Sequence, residues 1–240
     1  MTAPGAPRQS RGARAGAIDE QGRLRSPAPS GGAAPLNRVI PLIVVFDIGN
    51  VLVRWNPRNL FRKTFDDEAR MERFLATALA MDFVSLTDIV ADFPKAVAER
   101  ARAFPEFARE LHLFDERWVE TLGAPIEENV RLLRRLRSAG RPVYALSNFA
   151  TVKFAVARRM YDFLDEFDHA VISGHVGAAK PDPRIYEILF ERVGKRPHEL
   201  VFVDDSPRNI EAARALGMAA IHFHPAVDLE SELKAHGALP

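Results

Sequence analysis

The sequence contains no cysteine, which excludes disulfide staples, thiolate catalysis and cysteine-ligated zinc sites together. At 240 residues the chain is long enough to bury a sizeable core without such staples. It has no apolar run approaching the roughly 20 residues of a membrane helix, and its N-terminus lacks the apolar core of a secretory signal. A cytoplasmic location without a membrane partner is therefore expected. Net charge is nearly absent as well, +1 overall, but the balance is uneven. Residues 1–38 carry Arg8, Arg11, Arg14, Arg23, Arg25 and Arg38 against Asp19 and Glu20, a surplus of +4 that leaves −3 for the remainder. That segment is rich in Ala, Gly, Pro and Ser and has almost no large apolar residues, so burial cannot offset the entropy of ordering it. Residues 1–38 read as a disordered, inert extension rather than a nucleic-acid arm or a targeting peptide.

The rest of the chain looks globular, and the whole is 47% hydrophobic and 27% charged, suited to one domain or one domain carrying an insertion. Short apolar runs of strand length recur at 42–46 (LIVVF), 142–147 (PVYALS), 169–173 (HAVIS), 199–205 (ELVFVDD) and 219–223 (AAIHF). Continuous apolar runs rich in β-branched residues suit parallel strands covered on both faces. Helical patterns lie between them. PIEENVRLLRRLRSAGR sets Val130, Leu133 and Leu136 on one face, starting from Pro125 and stopping at Gly140, and NIEAARALG stops at Gly217. The alternation predicts an α/β fold, a doubly wound parallel sheet with right-handed crossovers. Residues 57–124 are too long for one crossover and hold several amphipathic segments with no convincing strand, so they read as an inserted helical subdomain at the carboxyl end of the first strand.

Residues just past the last apolar position of parallel strands converge on one edge of the sheet. Here these are Asp47, Ser147 with Asn148, and Asp204 with Asp205, while Lys180 follows HAVIS in GAAKPDPRIY. Singly, each has an ordinary explanation as a cap, a turn or a solvated loop lysine. Together, three carboxylates, a hydroxyl and a lysine would repel or desolvate badly without a bound cation and anion. The edge therefore describes a metal-assisted site for a small anionic substrate.

FDIGNVLV, LSNF, KPDPRIY and FVDDSPRNIEAA, in this order and with a helical insertion after the first, resemble the four motifs of the haloacid dehalogenase-like hydrolases over roughly residues 42–225. The resemblance implies a Rossmann-like core at 39–56 and 125–240 with an all-α cap at 57–124. It implies Asp47 as a nucleophile forming a covalent aspartyl ester or, in a phosphatase, an aspartyl phosphate, with Ser147 and the backbone of Asn148 hydrogen-bonding the transferring group. Lys180 would neutralise charge, and Asp47, the Gly49 carbonyl, Asp204 and Asp205 would hold Mg²⁺. Trp55 and Asn56, at the cap hinge, would line the pocket mouth.

One position departs from the family's phosphatases, which usually carry a second Asp two residues after the nucleophile as the proton donor and acceptor; here it is Gly49. The dehalogenase branch also lacks it, because halide leaves without a proton. Against that, adjacent carboxylates at 204 and 205 make little sense without a cation. A phosphatase of small phosphomonoesters, sugar phosphates among them, is the leading expectation; a 2-haloacid dehalogenase and a non-catalytic binding protein are the alternatives. Within the cap, Asp88 could meet a sugar hydroxyl and Arg70 or Arg73 a carboxylate. RLLRRLR at 131–137 has the apolar face of a crossover helix and no interleaved aromatics, so no nucleic-acid partner is expected; His222 and His224 lack a third ligand. Either a monomer or a homodimer fits.

Overall fold

The structure, a computed structural model, describes residues 41–239; the expected disordered extension at 1–38 lies outside them. Five strands form one parallel sheet: β1 (Ile43–Phe46), β4 (Val143–Ser147), β5 (His169–Ile172), β6 (Leu200–Asp204) and β7 (Ala219–His222), in the order β5-β4-β1-β6-β7. The short strands β2 (Val53–Trp55) and β3 (Leu122–Pro125) pair antiparallel as a separate two-stranded ribbon. β4 and β6 are buried along their whole length, as sheet interiors covered by helices require.

Successive residues serve opposite faces. Val44, Phe46, Val143, Ala145, Val201 and Val203 join one core, and Val45, Tyr144, Leu146, Leu200 and Phe202 the other. The first core runs on into the helices between β2 and β3: α1 (Arg58–Phe61), α2 (Glu68–Ala76), α3 (Met81–Thr87), α4 (Phe93–Ala103) and α5 (Ala108–Glu116). It also takes α6 (Glu127–Ser138) and α7 (Thr151–Met160), which flank β4. α8 (Ser173–Val176) follows β5, and α9 (Pro183–Val193) and α10 (Pro207–Ala215) cover the second face through Ile185, Leu189 and Ile210. α11 (Leu229–Ala235) packs Leu229 and Leu233 into the first core.

Two details differ from the sequence reading. Pro125 closes β3, and α6 begins two residues later at Glu127. Residues 57–124 are not free of strand, because β3 starts at Leu122; a four-residue run containing Gly and Pro gives little strand signal. Gly140 and Gly217 stand just past α6 and α10 with φ of 70° and 87°, the left-handed stop expected of them. Among the described residues no helix is long and apolar enough to cross a membrane.

Candidate active site

Parallel pairing brings the ends of three adjacent strands together. The Asp47 N–H extends the ladder to the Val203 carbonyl (2.8 Å), so its side chain leaves the sheet from the central strand. Ser147 ends β4 on one side and Asp204 ends β6 on the other. Asp47 Oδ1 accepts three donors: the Ser147 hydroxyl at 2.6 Å, the Ile48 N–H at 2.7 Å and the Lys180 ammonium at 2.8 Å. No described residue donates to Oδ2, so one carboxylate oxygen is fixed and the other is left for a ligand.

Lys180 reaches this edge from the loop between α8 and α9, and Asn148 holds it there. The Asn148 amide donates to the Lys180 carbonyl (3.0 Å) and its oxygen accepts the Lys180 N–H (2.8 Å). The ammonium bridges Asp47 and Asp204, the latter at 2.6 Å. Lys180, Asp47 and Asp204 are 5%, 6% and 0% exposed, so these charges are removed from water and depend on one another. Two carboxylates share one ammonium, leaving a surplus of negative charge. Burial pushes the Asp47 carboxyl up to about 7; Lys180 pulls it down and Asp204 pushes it further up. Burial lowers the Lys180 ammonium, but Asp204 and Asp47 outweigh it and hold it above its ordinary value.

The adjacent carboxylates Asp204 and Asp205 live in different surroundings. Asp204 is saturated: its oxygens also accept the Ser206 N–H (2.8 Å) and the Asn209 amide (3.0 and 3.1 Å). Asp205 is half-buried and takes a side-chain bond from Asn50, 3.1 Å to Oδ2. Burial, then the charge of Asp204, raises its carboxyl. Asn50 adopts φ of 53°, a left-handed conformation that Asn tolerates better than most residues. From there its side chain ties Asp205 to the Trp55 N–H (2.9 Å).

Carboxylate oxygens of Asp47, Asp204 and Asp205 lie within 4.8 Å of one another. An all-oxygen cluster carrying surplus negative charge fits a hard divalent cation. Asp47 Oδ2 and Asp205 have the open acceptor capacity, with the Gly49 backbone beside them on the same cavity wall. Asp204 is already committed to Lys180, Ser206 and Asn209. A Cβ built on Gly49 meets no heavy atom within 4 Å, so the first atom of a side chain has room at that position.

A cavity of about 370 Å³ opens above Asp47 and is lined from the core by Gly49, Asn148, Lys180 and Asp205 and from the helices by α3, α4 and α5. Trp55 lines it. Asn56 does not: its side chain accepts the Arg58 N–H at the start of α1. Arg70 and Arg73 also stand elsewhere, stacked on Phe107. Asp88, at the end of α3, does line the cavity. The buried Ser173 hydroxyl anchors it to the core, donating to the Asp88 carbonyl and accepting the Phe149 N–H, both at 2.8 Å. Burial pushes the Asp88 carboxyl up to about 7; the Ala150 N–H and Lys180 pull it down, and Asp47 pushes it up. Asn50 and Asn209, which fix the two aspartates, were not singled out from sequence; the one available signal was an Asn after Gly in the first motif.

Comparisons with known proteins follow the same lines. The family description "haloacid dehalogenase-like hydrolase" matches residues 42–217. The sesquiterpene phosphatase astK of Aspergillus oryzae is 26% identical over 196 residues, 79% of this chain and 93% of that protein. A phosphorylated carbohydrates phosphatase of Thermotoga maritima is 27% identical over 146 residues, 60% of each chain. Among solved structures, a HAD family enzyme of Bacteroides thetaiotaomicron in complex with magnesium and inorganic phosphate superposes with a TM-score of 0.59 at 23% identity, over 80% of this chain and 98% of that one.

Proposed function

The chain belongs to the haloacid dehalogenase-like hydrolases, and on that premise we propose that it is a Mg²⁺-dependent phosphatase of small phosphomonoesters working through a phosphorylated Asp47. The observation that carries this reading is the division of the Asp47 carboxylate, with Oδ1 held by Ser147, Lys180 and the Ile48 N–H and Oδ2 left without a donor. The relatives named as phosphatases and the neighbour bound to magnesium and phosphate support it. In the same reading residues 57–124 act as a cap over the site, with Trp55 at its mouth.

Asp47 Oδ2 attacks phosphorus, a P–O bond to Asp47 forms, and the ester P–O bond breaks. Lys180 supplies positive charge beside the transferring group, and Ser147 keeps the nucleophile in one rotamer. The Asn148 side chain positions Lys180, its amide being spent on the Lys180 backbone, and its backbone N–H would hydrogen-bond the transferring group. The departing alkoxide needs a proton, and position 49 offers none. Asp88 is the carboxyl on the helical side of the cavity whose elevated value lets it carry a proton near neutrality. After donating, Asp88 takes a proton from the water that attacks phosphorus of the Asp47 acyl phosphate, breaking its P–O bond to Asp47 and releasing phosphate. Asp205 and the Gly49 carbonyl would hold Mg²⁺ next to the Asp47 carboxylate, with Asp204 orienting Lys180; the ion would offset the site's negative charge and polarise the phosphoryl oxygens.

Gly49 is the residue that speaks for carbon–halogen hydrolysis. Arg70 and Arg73 stand on Phe107 away from the cavity, while Arg208 lines it; what weakens that reading is the adjacent pair Asp204 and Asp205, two carboxylates that call for a cation. The test is phosphate release from simple phosphomonoesters with and without Mg²⁺, in wild type and Asp47→Asn. Metal-dependent release that disappears in the variant is expected; metal-independent halide release from short 2-haloacids would replace the proposal.

A further inference from the structure

The cavity has two unlike ends. Toward the sheet edge it presents Asp47, Lys180 and Asp205, with Arg208 from the start of α10; the apolar part of the wall is made by Trp55, Val84, Phe93, Phe114, Trp118 and Phe149. α3 lays one face on this space, because Met81, Val84, Ser85 and Asp88 follow the i, i+3, i+4, i+7 spacing. Trp55, Phe93, Phe114, Trp118 and Phe149 come from five other segments, so the apolar wall is assembled around the space by six.

Few groups at the apolar end are free to hydrogen-bond. The Thr87 hydroxyl is spent on the Val84 carbonyl (2.7 Å), and the Asn148 amide on Lys180. Ser85 and the Asp88 carboxyl remain as acceptors, beside the donor-only indole N–H groups of Trp55 and Trp118. A sugar entering this end would bury several hydroxyl donors against only two side-chain acceptors, Ser85 and Asp88, an arrangement that apolar sites penalise. A hydrocarbon meets no such penalty and gains from leaving water. At about 30 Å³ per water-sized unit, the 370 Å³ space holds roughly a dozen non-hydrogen atoms. At its mouth Met81 is 59% exposed, an apolar surface over which a longer chain can run.

We infer that the substrates are phosphate monoesters of apolar alcohols, the phosphate seated at the sheet edge and the hydrocarbon between α3 and the aromatic wall. This rests on the phosphatase reading above and narrows it. The experiment measures kcat/KM for methyl, butyl and octyl phosphate beside glucose phosphates, and in parallel the calorimetric affinity of methyl- and octylphosphonate, which are not hydrolysed. The expected result is a rise of roughly three- to fourfold per added methylene until the space is filled, with the same trend in phosphonate affinity. Val84→Gln should cut the octyl-to-methyl ratio tenfold or more. A glucose phosphate turned over as well as octyl phosphate, or a flat chain-length series, would overturn the substrate class while leaving the phosphatase reading intact. Absence of phosphate release from every ester would remove the phosphatase reading and this proposal with it; chain-length-dependent phosphonate affinity would then mark an apolar binding site without hydrolysis.

Discussion

The sheet edge and the helical wall face each other across one cavity, yet they hold their residues by different means. At the edge, position comes from hydrogen bonds: Asp47 Oδ1 has three donors, Asp204 is saturated, and Asn148 clamps the Lys180 backbone. At the wall, position comes from packing, with Phe93 against Phe114 and Trp118 against Phe149 at ring separations of 5.8 and 5.7 Å. A directional, low-dielectric network fixes atoms for chemistry. An apolar wall fixes only shape, so it can change its ligand without disturbing the reaction. Asp88 belongs to both, a carboxyl on the wall tied through Ser173 to the core.

Substitutions separate the two ends, and the largest effect is expected at the nucleophile. Asp47→Asn should lower phosphate release by roughly 10⁴-fold or more in steady-state assays. Next comes Lys180→Met, which leaves two buried carboxylates facing each other; denaturant unfolding should show a loss of about 3–5 kcal/mol. No wall residue should cost as much through electrostatics alone.

Asp88→Asn comes third, with a drop of roughly 10²-fold in kcat for an alkyl phosphate and a much smaller one for a nitrophenyl ester, whose leaving group needs no proton. Asp88 donates only when protonated, so wild-type activity should fall as pH rises through about 7, and the variant should lose that limb. Stability follows with a definite sign. A carboxyl raised above its unfolded value of 3.8 binds its proton more tightly when folded. Its cost is absent below about pH 4, grows up to about pH 7 and is constant above. Asp88→Asn should therefore raise Tm above about pH 7 and leave it unchanged below about pH 4. Because position 49 has open space, Gly49→Asp should restore activity to the Asp88→Asn enzyme.

The smallest effects sharpen the contrast within the edge itself. Asp205→Asn should weaken Mg²⁺ affinity by roughly tenfold with little change in Tm. Asp204→Asn should destabilise by about 1–3 kcal/mol, because it unsettles a fully bonded buried carboxylate. Calorimetric titration and thermal melts on the same pair distinguish the two roles.

The edge was legible in the sequence because strand ends are marked. A buried parallel strand is a continuous apolar run, and the first polar residue after it can only lie at the edge; Asp47, Ser147 and Asp204 follow from that rule. The five strands of the sheet are legible for the same reason. The ribbon of β2 and β3 was not, since three or four residues with Gly and Pro carry almost no periodic signal. The division of labour between Asp204 and Asp205 was also hidden, because it depends on Asn209 and Asn50, which reach them through side chains. The wall was the least legible part. Val84, Phe93 and Phe114 follow the same helical spacing as core residues, and only the closed fold shows which of them border a cavity.

The most direct test is to quench the enzyme in acid during turnover of an alkyl phosphate with Mg²⁺ and map any covalent adduct by peptide mass. A phosphoryl group on Asp47, absent from Asp47→Asn, is the predicted result. Turnover without a phosphoryl adduct on Asp47, or a carbon ester at Asp47 after incubation with a 2-haloacid, would contradict the account.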